Sequence, residues 1–115
     1  MTEPPQRGEI YLVRIPGHPR DRKARPALVV SLDVRNRLAN DVMVVPLSAT
    51  LRPSPTHVRI EAGEGGLHHA SMAKCEQLTT LDKDFLLRGP FAGRIEEETM
   101  AQVERAIMRA VGIVI

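Results

Sequence analysis

The sequence predicts a small, mainly antiparallel β-barrel that is followed by a C-terminal α-helix. Three observations lead to this fold class. The 115 residues suffice for one compact domain, and 43% of them are hydrophobic. Up to residue 95, short β-branched segments alternate with Gly and Pro, which is the pattern of strands and turns. From residue 96 onwards, apolar side chains recur at intervals of three and four, which is the period of a helix.

The predicted strands are short segments in which apolar residues alternate with polar ones or form continuous runs. They span residues 9–15, 27–32, 42–47, 56–60 and 71–78, with 90–95 as a last short strand. The segments 27–32 and 42–47 are nearly uninterrupted apolar runs, so we expect both faces of these strands to be buried. Pro46 has no N–H to donate, and we expect it at the edge or the end of its strand.

The remaining segments connect these strands or close the domain. Loops are predicted at 16–24 and 48–55, a turn or short helix at 33–40, a Gly-rich turn at 63–66, and a single helical turn at 81–87. Residues 96–111 are predicted to form an amphipathic helix through Met100, Val103 and Ile107, with three Glu at its start. One domain therefore spans residues 1–115, with a flexible start at 1–7.

Charge is distributed unevenly along the chain. Residues 1–60 contain ten Lys and Arg against five Asp and Glu, whereas residues 61–115 contain six against nine. The basic half is where a polyanion would be attracted; the alternative is a solvated surface without a partner. Aromatic residues make up only 3% of the chain, which argues against a platform for stacking nucleic-acid bases.

The sequence predicts a cytoplasmic protein without a membrane segment or a cofactor. Cys75 is the single cysteine, so no internal disulfide can form. The first residues contain no apolar run, and no segment is long and apolar enough to cross a membrane. The adjacent His68 and His69 match no zinc-binding spacing with Cys75, so no metal site is expected.

The residue most suited to bind phosphate is Arg25, which stands immediately before Pro26 and a buried strand. Proline restricts the residue before it to extended geometry, so a rigid strand start would hold the guanidinium at the mouth of the barrel. A fixed fork of N–H donors fits the oxygens of a phosphate. The alternative is that Arg25 is an exposed cation beside a strand.

Three further positions carry groups that can take part in chemistry. Ser48 follows the strand 42–47, where its hydroxyl either reacts or caps a turn. Lys74 and Glu76 share one face of the predicted strand 71–78 at about 7 Å. Either one residue of this pair acts as a general acid and the other as a general base, or the two form a surface salt bridge that contributes little to stability.

Taken in order along the chain, these segments resemble the MazF/PemK toxin family. The likeness is carried by residues 7–13, 25–31, 44–48, 56–60, 65–67 and 71–83. The resemblance implies an SH3-like barrel that forms a homodimer. It also implies sequence-selective cleavage of single-stranded RNA without a metal ion, and neutralisation by a cognate antitoxin.

The resemblance also assigns roles to single residues. Arg25 falls on the family's catalytic Arg, Ser48 where many members carry a catalytic Thr, and Glu76 where some members use a carboxylate as base. Lys74 replaces an Arg, and Ala70 stands where an Asp is frequent. His18 and Asp21 remain alternative bases. The residues expected to bind RNA are basic or polar and lie near these positions: His18, Arg20, Arg22, Lys23, Lys74 and Gln77.

The expected reaction is attack of the RNA 2′-OH on the neighbouring phosphorus, with departure of the 5′-oxygen. Two alternatives belong to other classes of protein. A gyrase-binding toxin of the same fold carries a C-terminal Trp-Gly-Ile, whereas this chain has Val111-Gly112-Ile113 and no Trp. A non-catalytic RNA-binding barrel would use Arg25 for affinity and not for rate.

Overall fold

The computed structural model describes residues 3–17 and 23–114. The predicted mainly antiparallel β fold with a C-terminal helix is confirmed. The regular elements of the described part are β1 (Ile10–Val13), β2 (Arg25–Val29), α1 (Asp33–Leu38), β3 (Asp41–Ser48), β4 (His57–Ile60), β5 (Ser71–Lys74), β6 (Thr79–Asp82), β7 (Leu86–Arg88) and α2 (Glu97–Ala110). Three short 3-10 helices lie at Glu64–Gly66, Cys75–Gln77 and Lys83–Phe85.

The strands form one antiparallel path in the order β4-β5-β3-β2-β1-β7, and β6 pairs with β3 beside this path. Strand β3 organises the sheet because its eight residues pair with three neighbours. Its first half pairs with β6, its end pairs with β5, and its other edge pairs with β2. The described strands β4 and β7 form the two ends of the path.

Pro46 lies inside β3, two residues before its end, which differs from the predicted edge or end position. Met43 accepts a hydrogen bond from Val30 on the β2 side, so by alternation the nitrogen of Pro46 faces away from β2. On that side, pairing with β6 ends at Val44 and pairing with β5 begins at Leu47. The missing N–H therefore falls in a gap of the ladder and disrupts no strand pair.

Both faces of the central strands are buried, as the continuous apolar runs predicted. Leu28 and Val45 pack with Val103 of α2 in one core cluster. Their chain neighbours Val29 and Val44 belong to a second cluster on the other face. Alternate residues of β2 and β3 thus pack into two core clusters on opposite faces of the sheet. Close packing on both faces makes this part of the sheet rigid.

Helix α2 confirms the predicted C-terminal helix, and its buried stripe includes Met100 and Val103. No helix within residues 3–17 and 23–114 is long and apolar enough to span a membrane. Arg7, the last residue of the segment predicted to be flexible, makes specific contacts before β1: its guanidinium donates to Glu104 of α2 at 2.6 Å, and its backbone N–H donates to Asp33 of α1 at 2.7 Å.

Two local predictions are wrong, and a third is confirmed over part of its range. The predicted strand 71–78 ends at Lys74, because the chain must turn from β5, beside the end of β3, to β6, beside its start. The 3-10 helix Cys75–Gln77 makes this turn. The helical turn predicted at 81–87 is present as the 3-10 helix Lys83–Phe85, but it is flanked by the end of β6 and the start of β7. Residues 90–95 contain no strand.

Candidate active site

Three strand ends converge on one groove at the edge of the sheet. Strands β2 and β3 are antiparallel with Ala27 opposite Pro46, so the same register continued outward brings Arg25 beside Ser48. Strand β5 lies on the other side of the β3 end and finishes at Lys74. The start of β2 and the ends of β3 and β5 therefore bring together residues that are far apart in sequence.

The groove has a volume of about 550 Å³. Its lining combines strand ends with the segments that follow them: Lys23, Ala24, Arg25, Pro26, Pro46, Leu47, Ser48, Ala49, Thr50, Lys74 and Gln77. Three of the described lining residues are cations and none is acidic. Like charges around a concave surface reinforce one another's field, so the groove favours an anion.

Arg25 occupies the first position of β2 and lines the groove while half-buried. Arg25 pairs with Val13 of β1, and the pairing of β2 with β3 begins two residues later at Ala27, so the strand ladder fixes the backbone that carries the guanidinium on the β1 side. The structure thus places Arg25 at the mouth of the sheet, as the Arg-Pro spacing predicted. Its catalytic role stays a prediction.

Ser48, the last residue of β3, lines the groove and also caps a turn, so both roles considered from the sequence are compatible with its position. Its hydroxyl oxygen accepts a hydrogen bond from the N–H of Thr50 at 3.1 Å. A hydroxyl that accepts in this way still has its O–H to donate. Thr50 itself lines the groove. Sequence reasoning missed Thr50, although its position two residues after Ser48 is typical of such a turn.

Lys74 and Gln77 line the groove as expected, but Glu76 does not. Glu76 lies in the 3-10 helix and not on a strand, so the prediction that it shares a face with Lys74 is wrong. One carboxylate oxygen of Glu76 accepts from Thr56 Oγ1 at 2.8 Å, and the other contacts His57 Nε2 at 3.0 Å. The turn that separates β5 from β6 directs this carboxylate toward β4.

These contacts affect the ionisation of Glu76. Partial burial acts to raise the pKa of its carboxyl group, but hydrogen bonds from His57 and Thr56, together with attraction to His57, lower it below the ordinary value. Glu76 is therefore ionised at neutral pH, and its oxygens already have partners. A carboxylate stabilised in this way is a weaker proton acceptor than an ordinary glutamate.

Four residues predicted from the sequence, His18, Arg20, Asp21 and Arg22, lie outside the described residues. Within the described part of the chain, no three His, Cys, Asp or Glu side chains are grouped as a metal site requires. Cys75 is buried, and burial together with the charge of Glu76 raises the pKa of its thiol to about 12. The thiol is therefore protonated and unreactive at neutral pH.

Comparison with known proteins gives consistent matches. The family described as "PemK-like, MazF-like toxin of type II toxin-antitoxin system" matches residues 6–111. Endoribonuclease MazF1 of Mycobacterium bovis is 31% identical over 109 residues, which cover 95% of this chain and 94% of that protein. Endoribonuclease EndoA of Bacillus subtilis is 29% identical over 92 residues, 78% of each chain. An endoribonuclease from a mycobacterial species, solved in complex with its cognate antitoxin, is similar with a TM-score of 0.79 and 32% identity, covering 96% of this chain and 98% of that one.

Proposed function

This chain belongs to the PemK-like, MazF-like toxin family of type II toxin–antitoxin systems and is an endoribonuclease, and we propose that it cleaves single-stranded RNA in the groove lined by Arg25. The observation that carries this proposal is the composition of the groove. Lys23, Arg25 and Lys74 surround it, Ser48 adds a hydroxyl, and no described lining residue is acidic. Such a site attracts a phosphodiester and stabilises additional negative charge on it.

The proposed reaction is an internal transesterification. The RNA 2′-OH attacks the neighbouring phosphorus, the bond from phosphorus to the 5′-oxygen breaks, and a 2′,3′-cyclic phosphate and a 5′-hydroxyl result. A base takes the proton of the 2′-OH, and a donor protonates the leaving oxygen. Negative charge builds up on the oxygens of the intermediate, and cationic side chains can stabilise it without a metal ion.

Arg25 is proposed as the residue that stabilises the charged intermediate. A guanidinium offers parallel N–H donors that match two phosphate oxygens, and the paired strand β2 holds it in position. Ser48 donates its O–H to a phosphate oxygen. Lys23 and Lys74 attract the RNA strand, and the Gln77 amide contributes a further hydrogen bond.

The base of the reaction is proposed to come from the segment that precedes Lys23. Glu76 is a poor candidate because its carboxylate contacts His57 and Thr56 and does not line the groove. His18 and Asp21 are the remaining candidates from the sequence analysis. Separate His18→Gln and Asp21→Asn variants test them, since the true base determines the rising limb of the pH profile of kcat/KM.

We further propose that a cognate antitoxin neutralises this chain in the cytoplasm. Support comes from the mycobacterial relative, which was solved with its cognate antitoxin. An acidic segment that orders on binding would complement the cationic groove and exclude RNA from it. The homodimer implied by the family resemblance is part of the proposal, and light scattering of the purified chain tests it.

The decisive experiment maps RNA 5′ ends after incubation of a long transcript with the purified chain in EDTA. We expect new 5′-hydroxyl ends with the wild type and a rate lower by at least about 100-fold with Arg25→Ala. Arg59→Ala is the matched control, because Arg59 is exposed, pairs with Glu61 at 3.0 Å and does not line the groove. A deoxyribose on the 5′ side of the cut should block cleavage.

Each contrary result has a distinct meaning. Cleavage that survives Arg25→Ala removes this residue from the chemistry. Cleavage that requires a divalent cation contradicts the metal-independent reaction, and cleavage of the deoxy-substituted strand contradicts attack by the 2′-OH. If Arg25→Ala weakens RNA binding and no cleavage is seen with the wild type, the groove is an RNA-binding site only. Inhibition of a topoisomerase without RNA cleavage would favour the gyrase-binding alternative.

A further inference from the structure

Two antiparallel pairings extend the sheet surface from the groove across β1 to β7. Pro26, which lines the groove, pairs with Leu12 of β1, and Leu12 pairs with Arg88 of β7. Residues directly opposite each other in antiparallel strands project from the same face of the sheet. Two strand spacings separate Pro26 from Arg88, which amounts to roughly 10 Å. One strip of sheet surface therefore runs from the groove to Arg88.

An irregularity in strand pairing turns Arg88 toward this strip. The register of β1 with β7 shifts by one residue between Leu12 and Val13. The side chains of Val13 and Leu86, which oppose each other, are buried in one core cluster. In a regular strand Arg88 would project from the same face as Leu86. The extra residue, Leu87, places Arg88 opposite Leu12 instead, as a β-bulge does when it redirects a side chain.

Arg88 lines a second cleft, which has a volume of about 600 Å³. The residues of this Arg88 cleft belong to the Gly-rich turn and to the segment that follows β7: Gly66, His68, Arg88, Gly89, Pro90, Phe91 and Ala92. None of these described lining residues is acidic, and no carboxylate within residues 3–17 and 23–114 forms an ion pair with Arg88. A guanidinium beside the apolar surface of Pro90 and Phe91 matches the phosphate and the base of a nucleotide.

The two walls of the Arg88 cleft are held by backbone packing. Phe91 donates its N–H to the carbonyl of Ile10 at 3.0 Å, which joins the segment after β7 to β1. A Cβ at Gly66 would lie 2.7 Å from the backbone nitrogen of Ala92, so the Gly-rich turn packs directly on the same segment. The fold therefore fixes both walls, and a ligand that binds there need not order them.

We propose that the Arg88 cleft binds a flanking nucleotide of the same RNA strand whose scissile phosphate lies in the groove. The inference rests on the proposed function, which supplies the strand in the groove. The phosphate of the flanking nucleotide contacts Arg88, and its base packs against Pro90 and Phe91. Between the two sites, the strand crosses the half-buried side chains of Pro26 and Leu12. The cleft thus adds affinity without contact to the reacting phosphorus.

An acidic surface limits this path beyond the Arg88 cleft. A neighbouring cleft shares Ala92 with it, and the described ionisable residues there are Glu61, Glu64 and Glu96 with one cation, Arg94. Carboxylates repel the phosphates of a nucleic acid, so the strand should not continue past Ala92. The proposed path therefore begins in the cationic groove and ends at Arg88.

The first test locates the bound strand by NMR and needs no cleavage. The full chain is titrated with a single-stranded DNA of about nine nucleotides, and separately with a DNA dinucleotide. The dinucleotide should shift the amide signals of Thr50 and Lys74 only, because the groove contains three described cations and the cleft has only Arg88. The longer DNA should also shift the signals of Gly89 and Ala92, and Arg88→Gln should abolish those two shifts.

The second test measures affinity and cleavage in Arg88→Gln. Loss of one phosphate contact changes the salt slope by about 0.7, so affinity for the longer DNA should fall about 5-fold at about 0.1 M salt. With a long RNA substrate, KM should rise by a similar factor while kcat stays unchanged, because a remote contact stabilises ground state and transition state equally. Arg105→Gln is the matched control, since Arg105 is exposed on α2 and lines neither the groove nor the Arg88 cleft.

The outcomes separate this inference from the proposed function. Cleavage that survives Arg25→Ala defeats the proposed reaction in the groove, while the NMR titration still decides whether one strand occupies both surfaces. Unchanged signals of Gly89 and Ala92 with the longer DNA overturn the inference, even where the groove binds. An equal response of these signals to the dinucleotide also overturns it, because the cleft would then be a separate anion site.

The variants give two further results that would overturn the inference. A fall of kcat in Arg88→Gln at unchanged KM would make Arg88 part of the chemistry and not a contact to a flanking nucleotide. An equal loss of affinity in Arg105→Gln would show that net charge, and not the position of Arg88, determines binding.

Discussion

The charge of the groove predicts how binding of a single strand depends on salt. When the logarithm of the association constant is plotted against the logarithm of the salt concentration, each phosphate contact made by a cation lowers the slope by about 0.7 for single-stranded nucleic acid. The groove presents Lys23, Arg25 and Lys74, which together give a slope of about −2.1. Affinity should then fall about 18-fold between about 50 and 200 mM salt. Lys74→Gln leaves two described cations, a slope of about −1.4 and a fall of about 7-fold.

A fluorescent single-stranded DNA probe suits this measurement, because it lacks the 2′-OH required for the proposed cleavage and its backbone carries the same charge. Arg20 and Arg22 can add to the absolute slope, so the test is the difference of about 0.7 between wild type and variant. Lys83→Gln is the matched control, since Lys83 lines a different cleft. Equal slopes for wild type and Lys74→Gln, or an equal change with Lys83→Gln, would refute the assignment of the groove as the binding site.

Three further predictions concern stability and reactivity. Because the pKa of Glu76 is lowered from its ordinary value of 4.5, the wild type should lose stability as pH falls below that value, whereas Glu76→Gln should lack this contribution of under about 1 kcal/mol. Cys75, with a pKa raised to about 12, should react with iodoacetamide at about pH 9 at least about 100-fold more slowly than in the urea-unfolded chain. Gly66→Ala should lower the free energy of unfolding by about 1–3 kcal/mol more than Gly63→Ala. A Cβ at Gly66 would lie 2.7 Å from the backbone nitrogen of Ala92, whereas a Cβ at Gly63 would have no atom of the described residues within 4 Å apart from its chain neighbours.

Each of these predictions has a clear contrary result. Denaturant titrations at several pH values decide the first, and equal acid sensitivity of wild type and Glu76→Gln would contradict it. Mass spectrometry after timed alkylation decides the second, and rapid labelling of the native chain would contradict the buried thiol. Both glycines have positive φ, so Gly63→Ala supplies the backbone strain without the clash. Equal destabilisation of the two variants would show that the clash contributes nothing.

Local sequence patterns were sufficient for the parts of the fold that bury apolar faces. The continuous run in β3 and the three-four spacing in α2 both predict elements that the structure contains, because burial selects those patterns. The predictions failed between residues 71 and 95, where the chain changes strand partners. Nothing in the alternation of residues 71–78 indicates that β3 pairs with β5 at its end and with β6 at its start. That pairing is a tertiary property, and it requires the turn Cys75–Gln77.

The same distinction explains which of the predicted site residues the structure brings to the groove. Arg25 and Ser48 belong to strand ends, and an antiparallel register brings the start of one strand beside the end of the next. Lys74 lies near them because the register of β3 with β5, continued by one residue from Leu47 and Ala73, places it beside Pro46. Glu76 was misplaced because its orientation depends on the turn and not on the strand. His57 was overlooked because its two partners, Arg52 and Glu76, lie 5 and 19 residues away in sequence.

The turn after β5 therefore has two consequences for the site. It keeps Lys74 and Gln77 on the groove wall, and it withdraws Glu76 from the groove toward His57. A carboxylate inside the groove would repel the phosphodiester and oppose the charge that develops during cleavage. Placed behind the wall, the same carboxylate accepts a hydrogen bond from the imidazole instead. One negative charge is thus kept out of a position where it would oppose the reaction, and it is paired with His57 instead.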